Sequence, residues 1–152
     1  MPERKADALP VHSVTVTRHF DFPAGRIFDA WLDPASVGKW LFATETGKVV
    51  RAQIDPRIGG KFTIVDRRNG EDVEHCGEYL ELNRPHRLVF SFSVPKYSDQ
   101  SSTVTVDIVA QGSGCQVTLR HDGVLPEYLD GTEAAWARIL DTLARTIEQS
   151  QR

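Results

Sequence analysis

The sequence predicts an α+β domain in which a curved antiparallel sheet of about six to seven strands wraps around one long C-terminal helix, with two short helices after the first strand. Three observations carry this. From residue 48 to 121 apolar side chains recur at period two, from 130 to 149 they recur at intervals of three and four, and from 23 to 41 two short helical patterns flank Asp33-Pro34. A sheet with one apolar face and a helix with one apolar stripe each cover what the other exposes, and the natural twist of strands lets one sheet bend around one helix.

Taken in order, Ser13 to Phe20 alternates Val14, Val16 and Phe20 against Thr15, Thr17 and His19, the mark of a half-buried strand. Pro23 stands where a helix begins without losing a hydrogen bond, and Ile27, Phe28, Trp31 and Leu32 follow at helical spacing. Pro34 disfavours helix at Asp33; Val37, Trp40 and Leu41 then mark a second short helix. Lys48 to Asp55 puts Val50, Ala52 and Ile54 on one face, Pro56 to Gly60 turns the chain, and Phe62 and Ile64 continue the pattern in Lys61 to Asp66. Asn69-Gly70 is a hairpin signal, since both residues tolerate positive φ. Glu74 to Leu82, a turn at Asn83-Arg84-Pro85, and His86 to Val94 with Leu88, Phe90, Phe92 and Val94 in alternation supply two more strands. Thr103 to Ala110 carries Val104, Val106 and Ile108; after Gln111 to Gly114, Cys115, Val117 and Leu119 keep the parity as far as His121. Asp130, with Glu133 three residues on, reads as the N-cap of a helix running to about Gln149, with Trp136, Ile139, Leu140, Leu143, Ala144 and Ile147 as its stripe. Residues 13–149 then make one domain, 1–12 a flexible N-terminal tail and 150–152 a C-terminal tail, with no repeat or linker.

Composition excludes several function classes. The 18 basic and 21 acidic residues give a net charge of -3 and gather into no block, so no stripe exists to follow a phosphate backbone and nucleic acid is not an expected partner. No apolar run reaches the roughly 20 residues of a membrane span, and no apolar stretch follows the early Lys and Arg as in a signal peptide, which predicts a cytoplasmic protein. Two cysteines, Cys76 and Cys115, are too few for a disulfide framework and read as structural thiols.

The segments FDFPAGRIFDAWLDPASVGKWL, IDPRIGGKF, GEYLELNRPHRLVFSF, STVTVDI and CQVTLRH, followed by the Trp136 helix, resemble in content and order the SRPBCC or START-like superfamily. Within it they resemble the bacterial relatives of the activator of the heat-shock-protein-90 ATPase, over residues 13 to 149. The resemblance implies a helix-grip (START-like, Bet v-like) fold with a cavity between sheet and terminal helix. It implies binding of lipids or other small apolar molecules, assistance to a chaperone, or catalysis in some branches, and it brings no catalytic residue set. The eukaryotic co-chaperone behind the label pairs such a domain with a second, for which 152 residues leave no room.

Chemistry is sparse in the residues themselves. His75 and Cys76 are adjacent on a strand and point to opposite faces, and the spacing of His86, Cys115 and His121 forms no paired metal-ligand motif, so no metal site is expected. Gly59-Gly60 leads into a strand and Gly112-Ser113-Gly114 joins two strands, which is turn geometry and not a phosphate cradle, and no nucleophile elbow exists. No cofactor is expected.

Candidate ligand contacts are the inward-facing side chains. Arg18 shares the parity of Val14 and Val16, and His121 that of Val117 and Leu119. Each has a plainer alternative, a carboxylate partner at the rim for Arg18 and a backbone partner for His121. Tyr79 faces inward if a bulge resolves the mixed parity of its strand. Trp40, Phe42, Phe62, Phe90, Phe92 and Trp136 either fill the core or wall a cavity, and Ile64, Val104, Leu119 and Leu140 share their faces. Trp136, in register with Ile139, Leu140, Leu143 and Ile147, is expected to face the sheet at the cavity mouth. The leading expectation is non-catalytic binding of a small apolar or amphipathic molecule. A chaperone-assisting or stress-response interaction module and an enzyme acting on a cavity-bound ligand are the alternatives.

Overall fold

The structure, a computed structural model, describes residues 12–41, 48–96 and 101–150. The elements are β1 (Ser13–Phe20), α1 (Ala24–Ala30), α2 (Pro34–Trp40), β2 (Lys48–Ile54), β3 (Lys61–Arg68), β4 (Glu71–Asn83), β5 (Arg87–Phe92), β6 (Ser102–Gln111), β7 (Gly114–Asp122) and α3 (Leu129–Ser150), with a 3-10 turn at Pro126–Tyr128 before α3. The seven strands form one antiparallel sheet in the order β1-β7-β6-β5-β4-β3-β2. This is the sheet around one long helix that the periodicities predict, and the helix-grip fold that the resemblance implies.

Local chemistry explains most boundaries. Asp33, extended at φ -99 and ψ 114, accepts a hydrogen bond from the Ala35 N–H and caps α2. Asn69 and Gly70 both have positive φ, 51 and 78, as a two-residue hairpin turn requires. β4 joins the two halves of the sheet: Glu71 to Glu78 pair with β3, and Tyr79 to Asn83 pair with β5. A register shift between Tyr79 and Glu81 turns the Tyr79 ring inward, where it is 4% exposed and packs 5.6 Å from Phe62. Gly77 stands just before the change of partner from β3 to β5, where a Cβ would lie 1.8 Å from the Ser91 carbonyl oxygen and 2.7 Å from the Phe62 ring. Gly77→Ala is therefore expected to destabilise the protein by about 3 kcal/mol, measured by urea unfolding, because neither backbone nor ring has room to yield.

The core lies between the concave sheet face and α3. Trp136, Ile139, Leu140, Leu143 and Ile147 meet Val14, Val16, Val104, Val106, Val117 and Leu119, while Trp31 and Trp40 close the side beside α1 and α2 with an edge-to-face contact at 4.8 Å. Cys115 is buried, Cys76 half-buried, and both thiols are free. No helix among the described residues is long and apolar enough to cross a membrane.

Three expectations need adjustment. Val50 does not share an inward face with Ala52 and Ile54: a bulge between Val49 and Arg51 inserts one residue, so Val49 packs inward and Val50 is 40% exposed. Asp130 does not cap α3, because the helix begins at Leu129 straight from the 3-10 turn and Asp130 lies inside its first turn, where its charge still favours the positive end of the helix. Arg18 does not reach the interior; its Nε donates to Asp141 on α3 at 3.1 Å, with both side chains partly exposed. At the ends of the expected domain, the His12 carbonyl accepts hydrogen bonds from the Gly123 and Val124 N–H groups, and α3 takes in Ser150.

Candidate functional site

The middle of the sheet–helix interface is filled. The gap bounded by Trp31, Leu41, Phe62, Tyr79 and Phe90 is about 10 Å³, at the lower limit for one water molecule. Trp31 contributes a buried indole N–H without a hydrogen-bond acceptor among the described residues. Space opens instead where the end of β5, the start of β6 and the β7–α3 connection meet. A cavity of about 410 Å³ there has apolar walls from Phe92, Val94, Val124, Leu125 and Tyr128, and polar groups from Ser93, Ser101, Ser102, His121 and Thr132. An adjoining opening of about 280 Å³ shares Phe92, His121, Tyr128 and Thr132 with it and adds Arg68, His75, Trp136 and Arg138.

His121 is at the junction of the two. It stands in β7 opposite Val14 on one side and Val104 on the other, so the strand register that buries Val117 and Leu119 buries it too, to 5% exposure. Its ring makes two hydrogen bonds: the Trp136 Nε1–H donates to Nδ1 at 3.0 Å, and Nε2 lies 2.7 Å from Ser102 Oγ. An indole nitrogen only donates, so Nδ1 must be the bare acceptor and Nε2 carries the proton. Nε2–H then donates to Ser102 Oγ, and the Ser102 hydroxyl donates to the Phe92 carbonyl at 3.2 Å. Every hydrogen in the chain Trp136, His121, Ser102, Phe92 has a fixed direction. Burial holds the His121 ring neutral, its pKa pushed down to about 4 against a smaller upward pull from Asp122.

This polarity decides what Ser102 can do. A histidine that activates a serine offers it a bare ring nitrogen, whereas His121 offers a proton. Reversing the tautomer would set an Nδ1–H against the Trp136 N–H. The pair has the composition of a nucleophile and base and the wrong hydrogen polarity.

Phe92 is the centre of the aromatic group. The His75 ring stacks on it at 5.9 Å, the His121 ring meets it edge-on at 5.4 Å, and the Trp136 indole lies 6.5 Å away. His75 is 7% exposed and its Nδ1 donates to the Ile64 carbonyl at 3.3 Å. Burial first, and the Arg68 charge second, push its pKa down to about 4. The Arg68 Nε donates at 2.8 Å to Asp66, whose side chain is wholly buried. Among the described residues no three His, Cys, Asp or Glu side chains gather as a metal site.

Of the residues proposed from sequence, Phe92 and His121 line both openings and Trp136 lines the second. Phe62, Ile64, Tyr79 and Phe90 border the small central gap, while Trp40, Val104, Leu119 and Leu140 are buried core. Phe42 lies outside the described residues. Sequence reasoning missed Ser102, Val124, Leu125, Tyr128 and Thr132, which come from a strand start, a loop and the first turn of α3 and have no periodicity to mark them. The accessible signal was His121 itself: a buried imidazole needs partners, and Ser102, two residues before its cross-strand neighbour Val104, was within reach on the same face.

Likeness to known proteins bears on the fold and the family. No curated protein matches the chain. Among solved structures, a protein from Chromobacterium violaceum superposes with a TM-score of 0.81 at 21% identity, covering 90% of this chain and 97% of that one. A Staphylococcus aureus protein described as of unknown function gives 0.82 at 18% identity, covering 93% and 96%. The solution structure of an AHSA1-like protein from Aeromonas hydrophila gives 0.78 at 21%, covering 91% and 94%. At these identities the likeness concerns the fold. The model of the family described as Activator of Hsp90 ATPase homolog 1-like protein matches residues 21–148, and the chain belongs to that family.

Proposed function

We propose that this domain binds a small apolar or amphipathic molecule without transforming it, at the end of the sheet beside His121 and not in the filled middle of the interface. The observation that carries the reading is the 410 Å³ cavity itself: apolar walls and a few convergent polar groups are the makeup of a small-molecule site. The hydrogen polarity of His121 and Ser102 supports binding over turnover, since Ser102 has no base.

A ligand held there touches Phe92 and His121, both in contact with Trp136. Saturating ligand is therefore expected to change the indole fluorescence, and Trp136→Phe should abolish that change. At one hundred times Kd the gain is about 2.7 kcal/mol, or roughly 5 °C or more in Tm for a chain of this size. Protein purified from its natural host should also release a small molecule on denaturation, detected by mass spectrometry. Empty spectra together with an unmoved Tm across an apolar panel would sink the reading. The family match favours a second one, assistance to a chaperone. Under it the added protein raises a chaperone's ATPase rate, and filling the cavity leaves that rate unchanged.

A further inference from the structure

Resting on that reading, we propose that the ligand is electrically neutral and carries a hydrogen-bond donor on an apolar body, as an alcohol or phenol does, with its hydroxyl donating to Ser102 Oγ.

The donor requirement follows from counting hydrogens at Ser102. A hydroxyl has one hydrogen and two lone pairs. Its hydrogen goes to the Phe92 carbonyl, and one lone pair takes the His121 Nε2–H. What Ser102 has left for the cavity it lines is the second lone pair, which accepts and cannot donate. Because the Trp136 N–H fixes the His121 tautomer, the serine cannot turn its hydrogen outward without leaving either the Phe92 carbonyl or its own place in the chain. A ligand carbonyl or carboxylate oxygen placed there would face a lone pair.

Charge points the same way. Among the described residues no ionic side chain lines the 410 Å³ cavity, and its histidine is held neutral by burial. The positive end of α3 lies beside it, but Glu127, Asp130 and Glu133, all exposed, already answer that field. A carboxylate entering this cavity would lose water and gain no cation. The cations stand in the adjoining opening, where Arg68 is held by Asp66 and Arg138 reaches solvent. An anionic ligand would have to place its head there instead.

Three probes with one apolar body separate these cases: para-butylphenol, para-butylanisole and para-butylbenzoate, each titrated calorimetrically into the whole protein at neutral pH. The phenol is expected to bind about three- to tenfold tighter than the anisole, which keeps the oxygen and loses the donor. The benzoate should bind at least about tenfold weaker than the phenol. Ser102→Ala should bring the phenol down to the anisole's affinity and leave the anisole unchanged, which also shows that the variant keeps its cavity. Equal affinities for phenol and anisole overturn the donor assignment without any variant. A benzoate that binds as tightly as the phenol, and loses affinity in Arg138→Ala, overturns neutrality and moves the head to the adjoining opening; the ligand-binding reading survives both results. If none of the three binds, this proposal fails, and the ligand-binding reading falls with it when the mass spectra are empty and the apolar panel leaves Tm unmoved.

Discussion

Lowering the pH from 7.5 to 4.5 is expected to remove about 5 kcal/mol of folding stability through two histidines alone, roughly 2 to 3 from each. His75 and His121 have folded-state pKa values of about 4 against 6.5 in the unfolded chain, so as pH falls through 6.5 the unfolded state takes up the protons and the folded state refuses them. Their stabilising contribution is complete above pH 6.5, declines by about 1.4 kcal/mol per pH unit per ring, and levels off near pH 4 where the folded rings also charge. The groups facing them moderate this only slightly: Asp122 draws His121 upward, while Asp66 and Arg68 act on His75 in opposite senses. Asp29 and Asp122, whose carboxyl pKa values are lowered, lose stability in a separate window at lower pH. Urea unfolding at pH 7.5, 5.5 and 4.5 measures the effect, and replacing either histidine by Gln should remove about half of the slope. A stability curve flat across that range would mean the rings are not dry.

Trp136→Ala is expected to cost about 4 kcal/mol at pH 7.5. The indole is 3% exposed, lies 6.4 Å from Trp31 and 6.0 Å from His121, and its N–H is the donor that fixes the His121 tautomer. Removing it opens a cavity and leaves a buried acceptor unmatched. Trp136→Phe separates the two losses: it keeps most of the packing and should cost about 1 to 3 kcal/mol for the unmatched Nδ1. Burial, which the Phe ring preserves, is what lowers the His121 pKa, so its titration followed by NMR should stay well below 6.5 in this variant. A loss under about 0.5 kcal/mol in the alanine variant would contradict the packing described here.

The fold was legible because its elements repeat. Period two in Val104, Val106 and Ile108, and intervals of three and four in Trp136, Ile139, Leu140 and Leu143, translate directly into faces that must meet. The same parity placed His121 inside. Val50 failed because a bulge breaks parity without leaving a compositional trace, and Asp130 failed because a 3-10 turn carries the chain into the helix without a cap. The cavity was legible only at Phe92, His121 and Trp136, its members on regular elements. Ser102 and Tyr128 owe their places to a pairing across β6 and β7 and to a loop, neither of which a periodic pattern encodes. Phe62 and Phe90, expected either as walls or as filling, are buried around the small central gap, and Tyr79 faces inward beside them.

The order of the sheet also sets a timetable for synthesis. Among the described residues β1 pairs with β7 alone, Ser13 standing opposite Asp122, so a strand made before the other six waits for the last of them. At about 5 to 20 residues per second, the intervening hundred or so residues take on the order of 5 to 20 seconds to appear. During that interval Val14, Val16 and Phe20 have neither their neighbouring strand nor α3, while the meander from β2 to β6 assembles from pairings that are close in sequence. Closure of the N-terminal edge is thus the most non-local step the ribosome leaves to the nascent chain, and the interval before it is when exposed strand edges are most open to association with other chains.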